Sequence, residues 1–183
     1  MRGFLTIVAE PQSLADCIAA NARQRERVTS EVAIALHLAS NRDAGRVPAR
    51  GRPDLEIELP AGSLIVGLAL LHDSVLLPTP SDRLLNRNVR GLLRGLAAQY
   101  FGTEHLVIAG RPVAWVGFDR DREGRVAIEA FVGVDAAIGT RPISDMRGRP
   151  YASLRELGIA TELAELAARI VEGHARFGVE FEP

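Results

Sequence analysis

Residues 105–135, HLVIAGRPVAWVGFDRDREGRVAIEAFVGVD, decide the fold of this chain. Two apolar runs with the length and composition of buried strands flank the charged segment DRDREGR. The acidic residues of this segment begin like a calcium-binding loop, but Ala130 stands where the loop needs its final carboxylate. Because both flanks have strand character, we predict a solvated hairpin turn here and no metal site.

The basic residues outside this stretch are all of one type. The chain has 22 basic residues, all of them arginine, so a Schiff base, a lysine general base and a P-loop lysine are excluded. The formal net charge of −1 leaves no broad basic surface for a nucleic-acid backbone or an anionic membrane. We therefore predict neither a nucleic acid nor a membrane as partner.

The length and the cysteine content limit the possible architectures and sites. A length of 183 residues and a hydrophobic content of 47% fit one globular domain, residues 1–183. The first apolar run soon reaches Glu10 and Pro11, which is untypical of a signal peptide, so a cytoplasmic location is expected. Cys17 is the single cysteine, and the four histidines are far apart in the sequence, so no metal site is predicted.

Several short apolar runs have the length of strands. Residues 2–10 and 31–39 flank a predicted helix that begins after the N-cap Ser13, although the second run has enough alanine and leucine to be a helix instead. Residues 40–54 are rich in glycine, proline and arginine and are predicted to be a loop. After the alternating strand LEIEL, residues 63–71 are apolar on both faces, as in a central strand.

Two stretches show helical spacing. Residues 78–102 place apolar side chains at intervals of four, three and four, with Ser81 as the predicted N-cap: Leu85, Val89, Leu92 and Leu96. The tail is similar, with Thr161 as N-cap and Gly178 as the stop: Leu163, Leu166 and Ile170. Hairpins with interspersed helices favour an α+β fold, in which a mixed, mostly antiparallel sheet carries the helices on one face.

Arginines form two groups. On the predicted helix, one face carries Arg83, Arg87, Arg90 and Arg94, which fits either a solvated surface or a site for an anion or an acidic partner. In the predicted loop stand Arg42, Arg46, Arg50 and Arg52. A guanidinium matches phosphate and carboxylate groups, so this loop is either an anion site or a solubilising segment.

The order of these segments resembles the catalytic domain of lipoate-protein ligases and biotin-protein ligases. The likeness covers roughly residues 46–178 and runs through PAGSLIVGLALL, a helix, HLVIAGRPVAWVGF, a turn, GRVAIEAFVGVD, ASLRELGI and a closing helix. It implies a single α+β domain in which residues 63–71, 105–118 and 125–135 share one sheet. It also implies ATP or an acyl-adenylate as ligand, although no cofactor follows from the residues themselves.

In that family the motif G-R-K-hydrophobic-small-G supplies a lysine that contacts the acyl carboxyl group and the adenylate phosphate. Gly110 and Arg111 match this motif, but Pro112 stands at the lysine. Loss of that fixed cation removes stabilisation from the negatively charged transition state, so no catalytic residue is assigned. Trp115 lies in the strand that would line the acyl pocket, as either a core residue or a ligand platform.

A second family signature, R-R-x-x-G-G, wraps the acyl chain and the nucleotide. Its nearest match is GRVPARGRP, where Arg46 or Arg50 is the retained arginine and Gly51 the retained glycine. Octanoyltransferases of this fold use a cysteine later in the domain, so Cys17 does not take over that role. By resemblance, the predicted ligand-binding residues are Arg46, Arg50, Gly51, Arg52, Gly110, Arg111 and Trp115.

Two functions remain open at this stage. In one, the chain is catalytically lapsed and binds an acyl group, a nucleotide or a partner protein. In the other, Arg50 or Arg111 replaces the lysine in an active ligase or acyltransferase that moves lipoate or octanoate to a carrier domain. The absence of lysine favours the first. The expected partner is an acidic carrier domain or a partner ligase subunit.

Overall fold

The computed structural model describes residues 1–78, 83–102, 104–142, 148–159 and 162–182. The helices are α1 (Leu14–Arg27), α2 (Leu84–Asn88), α3 (Arg90–Leu96) and α4 (Leu163–Ala175). The strands are β1 (Arg2–Ile7), β2 (Ile34–Ser40), β3 (Gly45–Ala49), β4 (Arg52–Leu59), β5 (Leu64–Leu70), β6 (Gln99–Phe101), β7 (His105–Ile108), β8 (Arg111–Arg120), β9 (Val126–Val132), β10 (Gly139–Arg141) and β11 (Glu180–Glu182). A 3-10 helix covers Arg155–Leu157. Among the described helices, none combines the length and the apolar character needed to cross a membrane.

The strands form two sheets. The main sheet has eight strands in the order β11-β1-β2-β5-β9-β8-β7-β6, and the small sheet has the order β10-β4-β3. In the main sheet β1 is parallel to β2 and β11, and the other pairs are antiparallel. The predicted α+β fold with a mixed sheet is therefore confirmed. Residues 63–71, 105–118 and 125–135 share the main sheet as predicted.

The two faces of the main sheet carry different layers. Leu36, Val66 and Ile128 point to one face, which we call the helical face, and pack there with α2, α3 and α4. On the opposite hairpin face, the small sheet and Cys17 of α1 pack against Ile65. The prediction that the helices share one face was wrong, because successive residues of a strand point to opposite faces and both faces here are apolar.

The predicted loop at residues 40–54 is largely a β-hairpin of β3 and β4. Val47 and Ala49 point into the core of the hairpin face. Ala49 pairs with Arg52, so the turn consists of two residues, Arg50 and Gly51. The loop prediction rested on the glycine, proline and arginine content, but β3 lies at the edge of the small sheet, where Pro48 is tolerated.

The helical predictions were only partly correct. Within the segment predicted as one helix, the described residues 83–102 form α2, α3 and the short strand β6. The chain leaves α3 at Ala97, which has φ 53°, and turns into β6. In the tail, Leu166 and Ile170 are buried as predicted, and β11 follows the turn at Gly178. The predicted N-caps Ser81 and Thr161 lie outside the described residues.

The first helix follows the prediction more closely. The Ser13 hydroxyl oxygen accepts a hydrogen bond from the Asp16 backbone N–H at 3.1 Å and caps α1. Cys17 is fully buried, and its Sγ lies 3.7 Å from the Ser40 carbonyl oxygen. Burial also raises the pKa of the Cys17 thiol, so the residue packs as a small apolar group, as expected.

Candidate functional site

The Gly110-Arg111-Pro112 segment lies at the turn between β7 and β8. Ala109 and Gly110 have φ values of 50° and 75°, so they form a two-residue hairpin turn. Pro112 is buried opposite Val107, and its carbonyl oxygen accepts a hydrogen bond from the Ala152 N–H at 2.8 Å. The position of the family lysine therefore holds the apolar ring of Pro112. The backbone of this proline is already hydrogen-bonded to the segment that follows β10.

The side chain of Arg111 forms an ion pair with the 3-10 helix. Its Nη2 lies 3.2 Å from Glu156 Oε2 of the 3-10 helix, and both side chains are almost half exposed. Arg149 Nη1 donates a hydrogen bond to the Gly110 carbonyl oxygen at 2.9 Å. The charge of Arg111 is thus balanced at the surface by a carboxylate of this chain.

Trp115 is a core residue of the hairpin face. Its side chain is 0% exposed, and its ring stacks on Phe131 with centroids 6.0 Å apart and an interplanar angle of 19°. Val47 and Ile57 of the small sheet belong to the same apolar cluster. Counted along G-R-K-hydrophobic-small-G, Trp115 occupies the position of the final glycine. The indole therefore fills space that a glycine would leave empty.

Arg50 projects from the turn of the small-sheet hairpin into the hairpin face. Its Nη1 donates to Asp119 Oδ2 at 2.8 Å, and its Nε lies 3.0 Å from Glu129 Oε2. The Arg50 and Glu129 side chains are only 14% and 5% exposed. Arg25 of α1 pairs with the other Asp119 oxygen. Two protein carboxylates therefore neutralise Arg50, one of the two candidates for the retained arginine of the family signature.

The ion pair between Arg50 and Glu129 continues into further polar contacts. Asn21 Nδ2 donates to Glu129 Oε1 at 3.3 Å, and Asn21 Oδ1 lies 2.7 Å from His37 Nδ1. Since Asn21 uses its amide nitrogen for Glu129, the imidazole donates in the second contact. Burial, and secondarily the charge of Arg23, lowers the pKa of His37. We call this set the buried polar network: Asn21, Arg25, His37, Arg50, Asp119 and Glu129.

Gly51 lets the hairpin turn lie directly on the main sheet. Its φ is +77°, and a Cβ atom built on it would lie 2.2 Å from the Phe118 carbonyl oxygen of β8. A side chain here would be strained by the backbone angle and would collide with backbone. The glycine thus fixes Arg50 above the sheet, within reach of its two carboxylates.

The remaining arginines of the hairpin also have protein partners. Arg52 pairs with Asp54 at 3.0 Å and with Glu104, and these bonds, led by that to Asp54, raise the pKa of Arg52. Arg46, at the opposite end of β3, lies 3.2 Å from Glu58. The structure thus places the arginines among the predicted ligand-binding residues in separate ion pairs. A role of any predicted residue in ligand binding stays a prediction.

No cluster of three or more His, Cys, Asp or Glu side chains suitable for a metal occurs among the described residues. The histidines have separate environments: His37 lies in the buried polar network, and His174 Nδ1 bonds to the Ile170 carbonyl at 2.8 Å. His105 Nδ1 lies 3.0 Å from the Tyr151 hydroxyl, and burial raises the pKa of that tyrosine.

Sequence reasoning missed the buried polar network, although two of its members carry a signal. Glu129 interrupts the apolar strand VAIEAFV, and His37 interrupts IALHLAS. A charged or polar residue inside a buried strand requires a partner. The partners themselves were hidden, because Asn21 is 108 positions from Glu129 in the sequence and no local pattern connects them.

Comparisons of sequence find no matching protein-family model and no matching curated protein. Comparisons of structure do find chains of similar fold. The bipartite lipoate-protein ligase of Thermoplasma acidophilum, described with its E2 lipoyl domain, has a TM-score of 0.75 and 10% identity, over 100% of this chain and 86% of that chain. Lipoate-protein ligase A bound with ATP has a TM-score of 0.73 and 10% identity, over 100% and 88%.

The biotin-protein ligase of Leishmania major in complex with biotinyl-5-AMP is more distant. Its TM-score is 0.50 at 14% identity, over 94% of this chain and 72% of that chain. The TM-scores establish a shared architecture. At such low sequence identities, the chemistry has to be argued from the residues of this chain. The chain therefore has the fold of the lipoate-protein and biotin-protein ligases.

Proposed function

We propose that this protein is a catalytically lapsed protein of the lipoate-ligase fold that acts by binding a partner protein. The observation that carries the proposal is the position of Trp115. Its fully buried indole fills the hairpin face at the place of a motif glycine. An acyl chain could enter there only by displacing a residue type that commonly contributes several kcal/mol to a core.

The charges near this position support the same conclusion. The active alternative needs Arg50 or Arg111 as the cation that replaces lysine. Freeing Arg50 would leave the buried Glu129 carboxylate unpaired, which costs about 3–5 kcal/mol and would have to be offset by the ligand. Arg111 is paired with Glu156 on the surface and follows the turn that precedes Pro112.

The class of partner is part of the proposal. The Thermoplasma acidophilum relative is a bipartite ligase described with its E2 lipoyl domain, so its fold works in the company of other proteins. By analogy, we propose an acidic carrier domain or a partner ligase subunit for this chain. A lapsed protein would contribute a surface to such a partner and leave the chemistry to another chain.

The direct test measures turnover and ligand binding together. Purified protein is incubated with ATP and either lipoate or octanoate, and pyrophosphate release is followed, with an active lipoate-protein ligase as positive control. We expect no release above the buffer rate and no thermal stabilisation by a non-hydrolysable lipoyl-adenylate analogue. Release that Arg50→Gln or Arg111→Gln abolishes would establish the active alternative.

A pair of variants tests the role of the indole. Trp115→Gly removes the side chain that fills the hairpin face, whereas Trp115→Phe retains an aromatic ring. If the space is the former acyl pocket, the analogue should stabilise the glycine variant in a thermal melt and leave the phenylalanine variant unchanged. Wild-type protein that binds the analogue as tightly as the glycine variant would contradict the proposal. Circular dichroism checks that both variants fold.

A further inference from the structure

Helices α3 and α4 approach each other closely on the helical face. A Cβ atom on Gly173 would lie 2.2 Å from the Gly91 carbonyl oxygen, and one on Gly95 would lie 2.5 Å from Ile170 Cα. Only glycine permits this distance between the two backbones. The flanks of both helices therefore meet along one surface groove.

Arginines from both helices line this groove. Its larger part encloses about 540 Å³, with Arg90, Arg94 and Arg176 around it. Apolar side chains also line this part: Leu93, Ala97 and Ala98. A hollow of about 180 Å³ shares Arg94 and Arg176 and adds Arg169 and Glu172. We call Arg90, Arg94, Arg169 and Arg176, together with these apolar residues, the arginine groove.

The positive charge of the groove is only partly balanced. Glu172 pairs with Arg176 at 2.9 Å, but both side chains are more than half exposed. Arg90, Arg94 and Arg169 form no ion pair with a carboxylate anywhere in the described part of the chain. Like charges four residues apart on a helix, as at Arg90 and Arg94, destabilise it slightly. These arginines thus contribute nothing evident to folding.

We propose that the arginine groove is the docking site for an acidic segment of a partner protein. The guanidinium groups are spread over one turn of α3 and two turns of α4, about 5 and 10 Å of helix. This spacing suits carboxylates on successive turns of a chain better than the convergent donors that a single phosphate needs. The apolar residues of the lining offer contacts to an aliphatic side chain between those carboxylates.

The groove also defines what kind of partner it holds. It lies on the helical face of the main sheet, whereas Trp115 and Arg50 lie on the hairpin face. A partner docked in the groove does not present a side chain to the former acyl position. The occupant is therefore held as a companion subunit and not as a substrate. This inference rests on the proposed function only for the premise that the partner is a protein.

The test uses a fluorescein-labelled peptide of glutamate, alanine and leucine as probe, with binding followed by fluorescence anisotropy at low salt. Arg90→Gln combined with Arg94→Gln is expected to weaken binding at least about ten-fold, because two charge-assisted contacts are lost. The matched control is Arg23→Gln with Arg27→Gln on α1, which have the same spacing and charge change. The control should change affinity less than about two-fold.

Each contrary outcome overturns the proposal. Failure of wild-type protein to bind the probe, or equal weakening by both double variants, would show that the groove has no special affinity. Tight binding of a peptide in which lysine replaces glutamate would exclude recognition by charge. Displacement of the probe by low millimolar pyrophosphate at constant ionic strength would identify a small-anion site instead. None of these readouts depends on turnover, so the function proposed above can fail independently.

Discussion

The hairpin face and the arginine groove use the same side chain in opposite ways. On the hairpin face, Arg50 lies between Asp119 and Glu129 and is almost fully buried. In the groove, Arg90 and Arg94 stand at the surface without any described carboxylate within ion-pair distance. The first arrangement completes a folded core, and the second leaves charge available to another molecule.

The comparison shows that a cluster of arginines in a sequence does not identify a ligand site by itself. The arginines in the predicted loop matched a family signature, yet each has a carboxylate of this chain as partner. Those on the helix matched no signature, and among the described residues they have no carboxylate within ion-pair distance. The decisive property is whether internal carboxylates lie within reach, which depends on the tertiary structure.

The largest effect is expected from breaking the buried pair. Glu129→Ala removes the carboxylate that pairs with Arg50 and Asn21, and leaves a buried guanidinium with one partner fewer. We expect the free energy of unfolding in urea to fall by about 3–5 kcal/mol. The matched change in the groove, Glu172→Ala, breaks an exposed pair and should cost less than about 1 kcal/mol. Equal losses would contradict the distinction between the two regions.

A smaller effect is expected at the hairpin turn. Gly51→Ala imposes a side chain at φ +77° and places its Cβ against the Phe118 carbonyl oxygen. Strain and displacement of the turn together should cost about 2–3 kcal/mol. Gly62→Ala is the control, since its φ is +79° but nothing lies within 4 Å of the added Cβ. Denaturation curves that shift equally would show that contact with β8 is unimportant.

The main elements of the fold were accessible from the sequence because their patterns are local. The apolar runs of β5, β8 and β9 and the capped start of α1 each carry their own signal. The loop prediction for residues 40–54 was wrong because glycine and proline normally end a strand, whereas here an edge strand and a two-residue turn accommodate them. The three-residue strands β6, β10 and β11 are too short for any periodicity.

The candidate site was less predictable, for a different physical reason. The substitution at Pro112 is visible in the motif, but the stacking of Trp115 on Phe131 depends on the register between β8 and β9. The neutralisation of Arg50 depends on the packing of the turn between β3 and β4 onto the main sheet, where Asp119 and Glu129 lie. Arg50 and Asp119 are 69 positions apart in the sequence, where no local pattern operates.

Acid should reduce stability through one buried histidine in each region. Burial lowers the pKa of His37 on the hairpin face and of His174 beneath the groove. Above pH of about 6.5 both are neutral in the folded and unfolded states, so stability is complete. Below that value the unfolded chain takes up protons first, and each histidine lowers the free energy of unfolding by up to about 1.4 kcal/mol per pH unit. His37→Gln and His174→Gln should each flatten this slope in urea titrations between pH 7.5 and 5.5; an unchanged slope would contradict the assignment.

The smallest effect on stability is expected in the groove itself. Arg90→Gln with Arg94→Gln removes two cations of the groove that repel each other along α3, so the free energy of unfolding should stay constant or rise by less than about 0.5 kcal/mol at low salt. Added salt screens the repulsion and should abolish even this gain. The same variant should lose at least about ten-fold in affinity for the acidic peptide. A loss of stability above about 1 kcal/mol would mean that these arginines hold the fold together, and the contrast with Arg50 would disappear.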